Sequence, residues 1–95
     1  VTQEYFVYII TNHTNSVFYI GITNNLSRRI LEHKSGLSPD SFSKRYKLYK
    51  LVWFQQFLTS IEAIENEKKI KGWLRIRKIN LISEFNPLFK DLSCT

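Results

Sequence analysis

The stretch FYIGITNNLSRRILEH, residues 18–33, passes from an aromatic and β-branched run into a helical pattern. Strand alternation sets Tyr19 and Gly21 on one face of its first part. In its second part an Asn cap candidate precedes a stripe of Leu26, Arg29, Ile30 and His33 at 100° per residue. A guanidinium on a helix face that meets a sheet loses solvation unless an anion or dense hydrogen bonding accompanies it. That anion is either an internal carboxylate, which makes Arg29 a structural ion pair, or a bound phosphate, which suits the planar fork of donors on Arg. On the helix alone the ion pair is the simpler reading, and His33 reads as a hydrogen-bonded core residue. Standing alone, Tyr19, Gly21 and Tyr8, the last in the preceding strand, read as ordinary sheet packing.

Working outward, EYFVYIIT (4–11) and the run containing Tyr19 flank the polar cluster NHTNS (12–16), a β-hairpin pattern. Phe6 and Ile10 fall on one side of the first strand and Val7 and Ile9 on the other, so helices are expected over both faces. Gly36 is expected to close the first helix, and the Ser-rich SGLSPDSFSK (35–44) reads as an exposed loop. YKLYKLVWFQQF (46–57) gives a third strand in the same sheet. Thr59 with Glu62 fits a capping box that opens a helix, with Ile61, Ile64 and Ile70 as its expected buried stripe. Gly72 interrupts that pattern and WLRIRKINLISEF (73–85) resumes it, so two short helices or one bent helix are expected, ending before Pro87. The expected fold is α/β of the α+β kind, a small three-stranded antiparallel sheet flanked by helices in the order β-β-α-β-α-α, with residues 1–95 as one domain.

At 95 residues the chain has room for a single modest core, and 43% hydrophobic with 15% aromatic residues argues against disorder. Fourteen Lys and Arg against eight Asp and Glu leave +6, a field that draws polyanions. Six basic residues fall in KKIKGWLRIRK (68–78), among them Lys71 and Arg75, and four in KRYKLYK (44–50), where Tyr46 and Tyr49 are interleaved. Such clusters suit phosphates and the stacking of unpaired bases, and equally suit plain solvated faces. The lone Cys94 supports neither a disulfide nor a Cys-rich metal site. With no run of about 18 apolar residues, a cytoplasmic protein that makes no use of a membrane is expected.

VYI at 7–9 and YIG at 19–21, followed by Arg29 and His33, resemble the GIY-YIG nuclease domain, with Val7 where the family name has its first Gly. The chain is most similar to the small single-domain bacterial proteins of the UPF0213 (YhbQ-like) group, and the resemblance runs from Tyr5 to Leu92. It implies the GIY-YIG fold and a divalent-metal-dependent endonuclease. The substrate implied is DNA, cut with low sequence specificity or by structure; RNA is compatible with the same basic clusters.

The resemblance assigns Tyr8 and Tyr19 as the motif tyrosines, Arg29 as the motif arginine and His33 as an accompanying histidine. Glu67 in NEKKIKGW takes the place of the catalytic carboxylate, holding Mg²⁺ or Mn²⁺; Glu62 and Glu65 are its local rivals. Tyr46 and Asn86 match further positions near the substrate, and Gly21, Lys71 and Arg75 complete the expected substrate contacts. One active site per chain cuts one strand at a time, so a homodimer or a partner protein is expected where both strands are cut or specificity is needed. A non-catalytic nucleic-acid-binding module is the alternative. A third reading, an interaction domain, would pair Arg29 with Glu67 internally.

Overall fold

A computed structural model of the chain describes residues 4–35 and 41–93. Its elements are β1 (Tyr5–Thr11), β2 (Phe18–Thr23), α1 (Leu26–Ser35), α2 (Ser41–Tyr46), β3 (Lys50–Phe57), α3 (Ser60–Lys71) and α4 (Arg75–Phe85). The sheet is antiparallel in the order β2-β1-β3. Val7, Ile9 and Ile20 pack with Ala63 and Ile70 of α3 and Ile82 of α4 on one face. Tyr8 and Ile10 pack with Ile30 of α1 on the other. Both faces of β1 are therefore covered, as its two apolar registers require.

Asn12 shapes the turn between β1 and β2, its Oδ1 accepting from the N–H of Ser16 (2.9 Å) and of Val17 (3.2 Å). This Asx geometry replaces backbone bonds that the loop cannot supply. Asn25 caps α1 by accepting from the N–H of Arg28 at 3.1 Å. Thr59 caps α3, and the Glu62 carboxylate accepts from its hydroxyl at 2.9 Å. α3 stops at Lys71 and α4 stops before Pro87, both as expected. The expected closing role of Gly36 falls outside the described residues.

The structure corrects two local expectations. Residues 41–46 form a short helix rather than loop and strand, and Lys47 leaves it with φ of 57°, a left-handed step that a strand cannot contain. β3 accordingly begins at Lys50, and Tyr46 stands outside the sheet. On α3, Ala63 and Ile70 are buried, whereas Ile61 and Ile64 are 68% and 41% exposed. Nine residues apart at 100° each, Ile61 and Ile70 lie on opposite sides of the helix, so one stripe cannot hold both.

β3 carries a bulge where Ile9 pairs with Trp53 but Ile10 with Leu51, leaving Val52 extra. Val52 and Trp53 consequently enter the same core layer although they are consecutive. The C-terminal segment fastens this irregularity. The Asn86 side-chain amide donates to the carbonyls of Val52 (3.1 Å) and Lys90 (2.8 Å). Leu92 donates its N–H to the Leu51 carbonyl (2.7 Å), while Asp91 accepts from the Leu51 N–H (3.2 Å) and from Lys34 on α1 (2.8 Å).

Candidate functional site

The pairing of β1 with β2 sets Gly21 directly opposite Tyr8, with Tyr19 two residues away on the same face. A Cβ on residue 21 would lie 2.5 Å from Cζ and Oη of Tyr8 and 2.9 Å from Cε1 of Tyr19. Only a residue without a side chain lets both rings close over that point. Tyr8 then reaches across to α1, its hydroxyl 3.2 Å from Nε2 of His33, where either group can donate according to the imidazole tautomer. Ring centroids are 6.4 Å apart for Tyr8 and Tyr19, 6.0 Å for Tyr8 and His33, and 5.9 Å for Tyr19 and His33. The three rings form one triangle between the sheet and α1.

Exposure separates the members of this cluster. Tyr8 is 1% and His33 7% exposed, and Gly21 is buried, so none of them offers a surface to a large substrate. Tyr19 is half-buried. Arg29 stands one helical turn before His33, its side chain 31% exposed, with Nη1 3.4 Å from Oε1 of Glu32. Glu32 is thus the internal carboxylate: helical phase turns it away from the Arg29 stripe, but its i+3 spacing keeps it within reach. The contact is long, uses one of the five guanidinium N–H donors, and joins two partly exposed groups, so it contributes little and leaves donors for another anion.

Glu67 is placed elsewhere. It shares the inward stripe of α3 with Ala63 and Ile70, on the face of the sheet opposite the ring cluster. Its side chain is 15% exposed and Oε2 lies 3.6 Å from Nζ of Lys71. The structure therefore does not give Arg29 and Glu67 to each other, which removes the internal pair on which the interaction-domain reading rested. α3 packs against β1 and β2, and β2 is one of the two edge strands of the sheet. Four surface hollows are lined by none of Tyr8, Tyr19, Arg29, His33 and Glu67.

The remaining expected substrate residues are scattered. Tyr46, 40% exposed, lines a polar hollow with Asn12, His13, Thr14, Lys47 and Tyr49. Arg75 lies over the Phe18 ring at 4.8 Å and donates to the Asn15 carbonyl at 3.1 Å, which ties α4 to the hairpin loop. Lys69 and Arg77 sit over Trp73 at 5.9 and 4.2 Å. Much of the 68–78 basic run is thus engaged within the molecule. Asn86 is 6% exposed, and its amide serves Val52 and Lys90 rather than the ring cluster.

A metal must be judged by the donors present. Among the described residues no three His, Cys, Asp or Glu side chains gather to cage an ion. A lone, mostly covered carboxylate such as Glu67 suits a hard cation that keeps most of its waters, as Mg²⁺ does. Among the described residues no helix is long and apolar enough to cross a membrane.

Comparison with known proteins bears on the family and the fold. Residues 4–80 match the GIY-YIG catalytic domain. The chain is 31% identical over 82 residues to the UPF0213 protein SSP2268 of Staphylococcus saprophyticus, covering 86% of this chain and 98% of that protein. It is 32% identical over 82 residues to the UPF0213 protein lin0209 of Listeria innocua, covering 86% and 89%. The solution NMR structure of the UPF0213 protein BH0048 from Bacillus halodurans superposes with a TM-score of 0.58 at 29% identity, covering 97% of this chain and 99% of that one. A three-stranded sheet with the rings of Tyr8 and Tyr19 closed over Gly21, in a chain matched along most of its length, places this protein in the GIY-YIG family, among relatives of the UPF0213 proteins.

Proposed function

We propose that this chain is a divalent-metal-dependent endonuclease that hydrolyses DNA phosphodiesters, one strand per event, with low sequence specificity or by DNA structure. The observation that carries the reading is the Tyr8–His33–Tyr19 ring cluster with Arg29 one turn away on the same helix. Tyr19 and Arg29 are its partly exposed members and contact the substrate. Arg29 donates to the non-bridging phosphate oxygens, where charge grows in the transition state. Tyr19, ionised to its phenolate beside the Arg29 cation, accepts the proton of the attacking water as the P–O3′ bond breaks, and the departing 3′ oxygen is protonated from solvent. Tyr8 and His33, covered by protein, hold the Tyr19 ring in place. Glu67 is the residue that would hold Mg²⁺ or Mn²⁺, which would supply charge neutralisation for the phosphoryl group.

A second reading is favoured by one observation: Glu67 lies across the sheet from the rings and beside Lys71. The chain is then a nucleic-acid-binding module without catalysis. Metal-dependent cleavage separates the two. The purified chain and Glu67→Ala are incubated with supercoiled plasmid, single-stranded DNA and branched DNA, each with Mg²⁺, Mn²⁺ or chelator. The first reading expects nicking by the parent chain that chelator stops and Glu67→Ala abolishes, with DNA binding retained. Binding without cleavage on every substrate and metal would establish the second.

A further inference from the structure

The outer face of α3 has no partner among the described residues, although it is not a polar face. Ile61 and Ile64 are 68% and 41% exposed, Leu58 just before the helix is 68% exposed, and Leu74 just after it is 77% exposed. Ile61, Glu65, Lys68 and Gly72 follow one another at three- and four-residue steps, so they share one stripe opposite the buried Ala63 and Ile70. Exposed apolar residues gathered along one helix mark an interaction surface.

Charge tells what covers it. The first half of α3 carries Glu62 and Glu65, the second half Lys68, Lys69 and Lys71. We propose that this face is the two-fold interface of a homodimer, in which α3 lies antiparallel to α3 of a second copy. A two-fold axis at the level between residues 66 and 67 sets Glu65 opposite the second copy's Lys68, and by symmetry Lys68 opposite its Glu65. The same register lays Ile61 over the second copy's Gly72, an exposed position with no side chain to displace, and brings Leu58 beside its Leu74. A parallel arrangement would instead oppose Glu65 to Glu65 and Lys68 to Lys68, so the charge order selects one orientation. Neither Glu65 nor Lys68 has an ion pair among the described residues. α1 and the ring cluster lie across the sheet from α3, so dimerisation leaves both copies of that cluster uncovered. The inference does not depend on nuclease activity.

Sedimentation equilibrium on the full chain, from low micromolar to submillimolar concentration, tests it. The parent chain is expected to associate to a dimer, and Glu65→Lys or Lys68→Glu alone to weaken the dimer by roughly tenfold or more, because each creates two like-charge contacts. The double variant Glu65→Lys/Lys68→Glu restores the opposite-charge pairs and is expected to return to within about threefold of the parent. Ile61→Asp is expected to give monomer, and circular dichroism melts confirm that each variant is folded. A parent chain that stays monomeric throughout, a dimer indifferent to Ile61→Asp, or a double variant no better than the single ones would each overturn the proposal.

Discussion

Gly21→Ala is the sharpest probe of how the ring cluster is built. The new methyl would sit 2.5 Å from Tyr8 and 2.9 Å from Tyr19, whereas carbon atoms in contact settle at about 3.5–4.0 Å. Tyr8 must retreat by about 1 Å or more, and at 1% exposure it has no open space to enter. Overpacking of this kind costs about 1–3 kcal/mol. Loss of the Tyr8–His33 bond adds about 0.5–1.5 kcal/mol, and the stiffer unfolded chain returns about 0.4–1 kcal/mol. The net is a destabilisation of about 0.5–4 kcal/mol, or a fall in melting temperature of about 2–30 °C for a domain of this size. Calorimetry gives the temperature, and the His33 imidazole resonances in NMR report the displaced phenol. Gly72→Ala, measured in dilute solution, is the control: its Cβ meets backbone carbonyls at 3.6 and 3.7 Å, ordinary contact, so no fall is expected. A Gly21→Ala protein that melts within about 2 °C of the parent, with His33 unmoved, would refute the argument.

Two further outcomes concern the C-terminal clasp. Burial raises the Asp91 carboxyl, but bonds from the Lys34 side chain, the Ser93 hydroxyl and the backbone N–H groups of Ser93 and Leu51 outweigh it and leave its pKa below the ordinary 3.8. A group depressed on folding stabilises above its unfolded pKa, and that gain disappears as pH falls through the lower folded value. Acid titrations of stability should therefore decline below about pH 4, and Asp91→Asn should flatten that limb; an unchanged acid limb in Asp91→Asn would exclude the carboxylate as its source. Asn86→Ala strips partners from the Val52 carbonyl and from Lys90, a loss of about 2–3 kcal/mol by denaturant titration. Cleavage per folded molecule should be nearly unchanged, and a collapse of turnover at full stability would return Asn86 to the phosphate.

What a sequence reveals depends on how local its cause is. The hairpin, the Thr59 cap, the ends of α3 and α4 and the two-sided burial of β1 were legible because alternation, capping and proline act within a few residues. α2 was hidden by composition: SFSKRY reads as loop, and nothing in it announces that Lys47 adopts a left-handed backbone. Three isoleucines on α3 drew the buried stripe to themselves, whereas the phase of the helix is set by the small Ala63 packed against the sheet. In the site, Tyr8, Tyr19, Gly21 and His33 lie together, but the hairpin register that sets Tyr8 opposite Gly21 is not encoded by local spacing. The layer that Glu67 occupies depends on the tertiary path of α3, and the role of Asn86 depends on a bulge that no local pattern encodes.

That clasp also bears on how the chain acquires its shape during synthesis. Asn86 meets Val52 across 34 positions and Asp91 meets Leu51 across 40, so the kinked strand waits for partners that leave the ribosome long after it does. Until then β3 presents an unfinished outer edge, an invitation to stray pairing. Nascent chains stalled just short of residue 86 should consequently be digested by protease much faster than chains released with residues 86–93 in place.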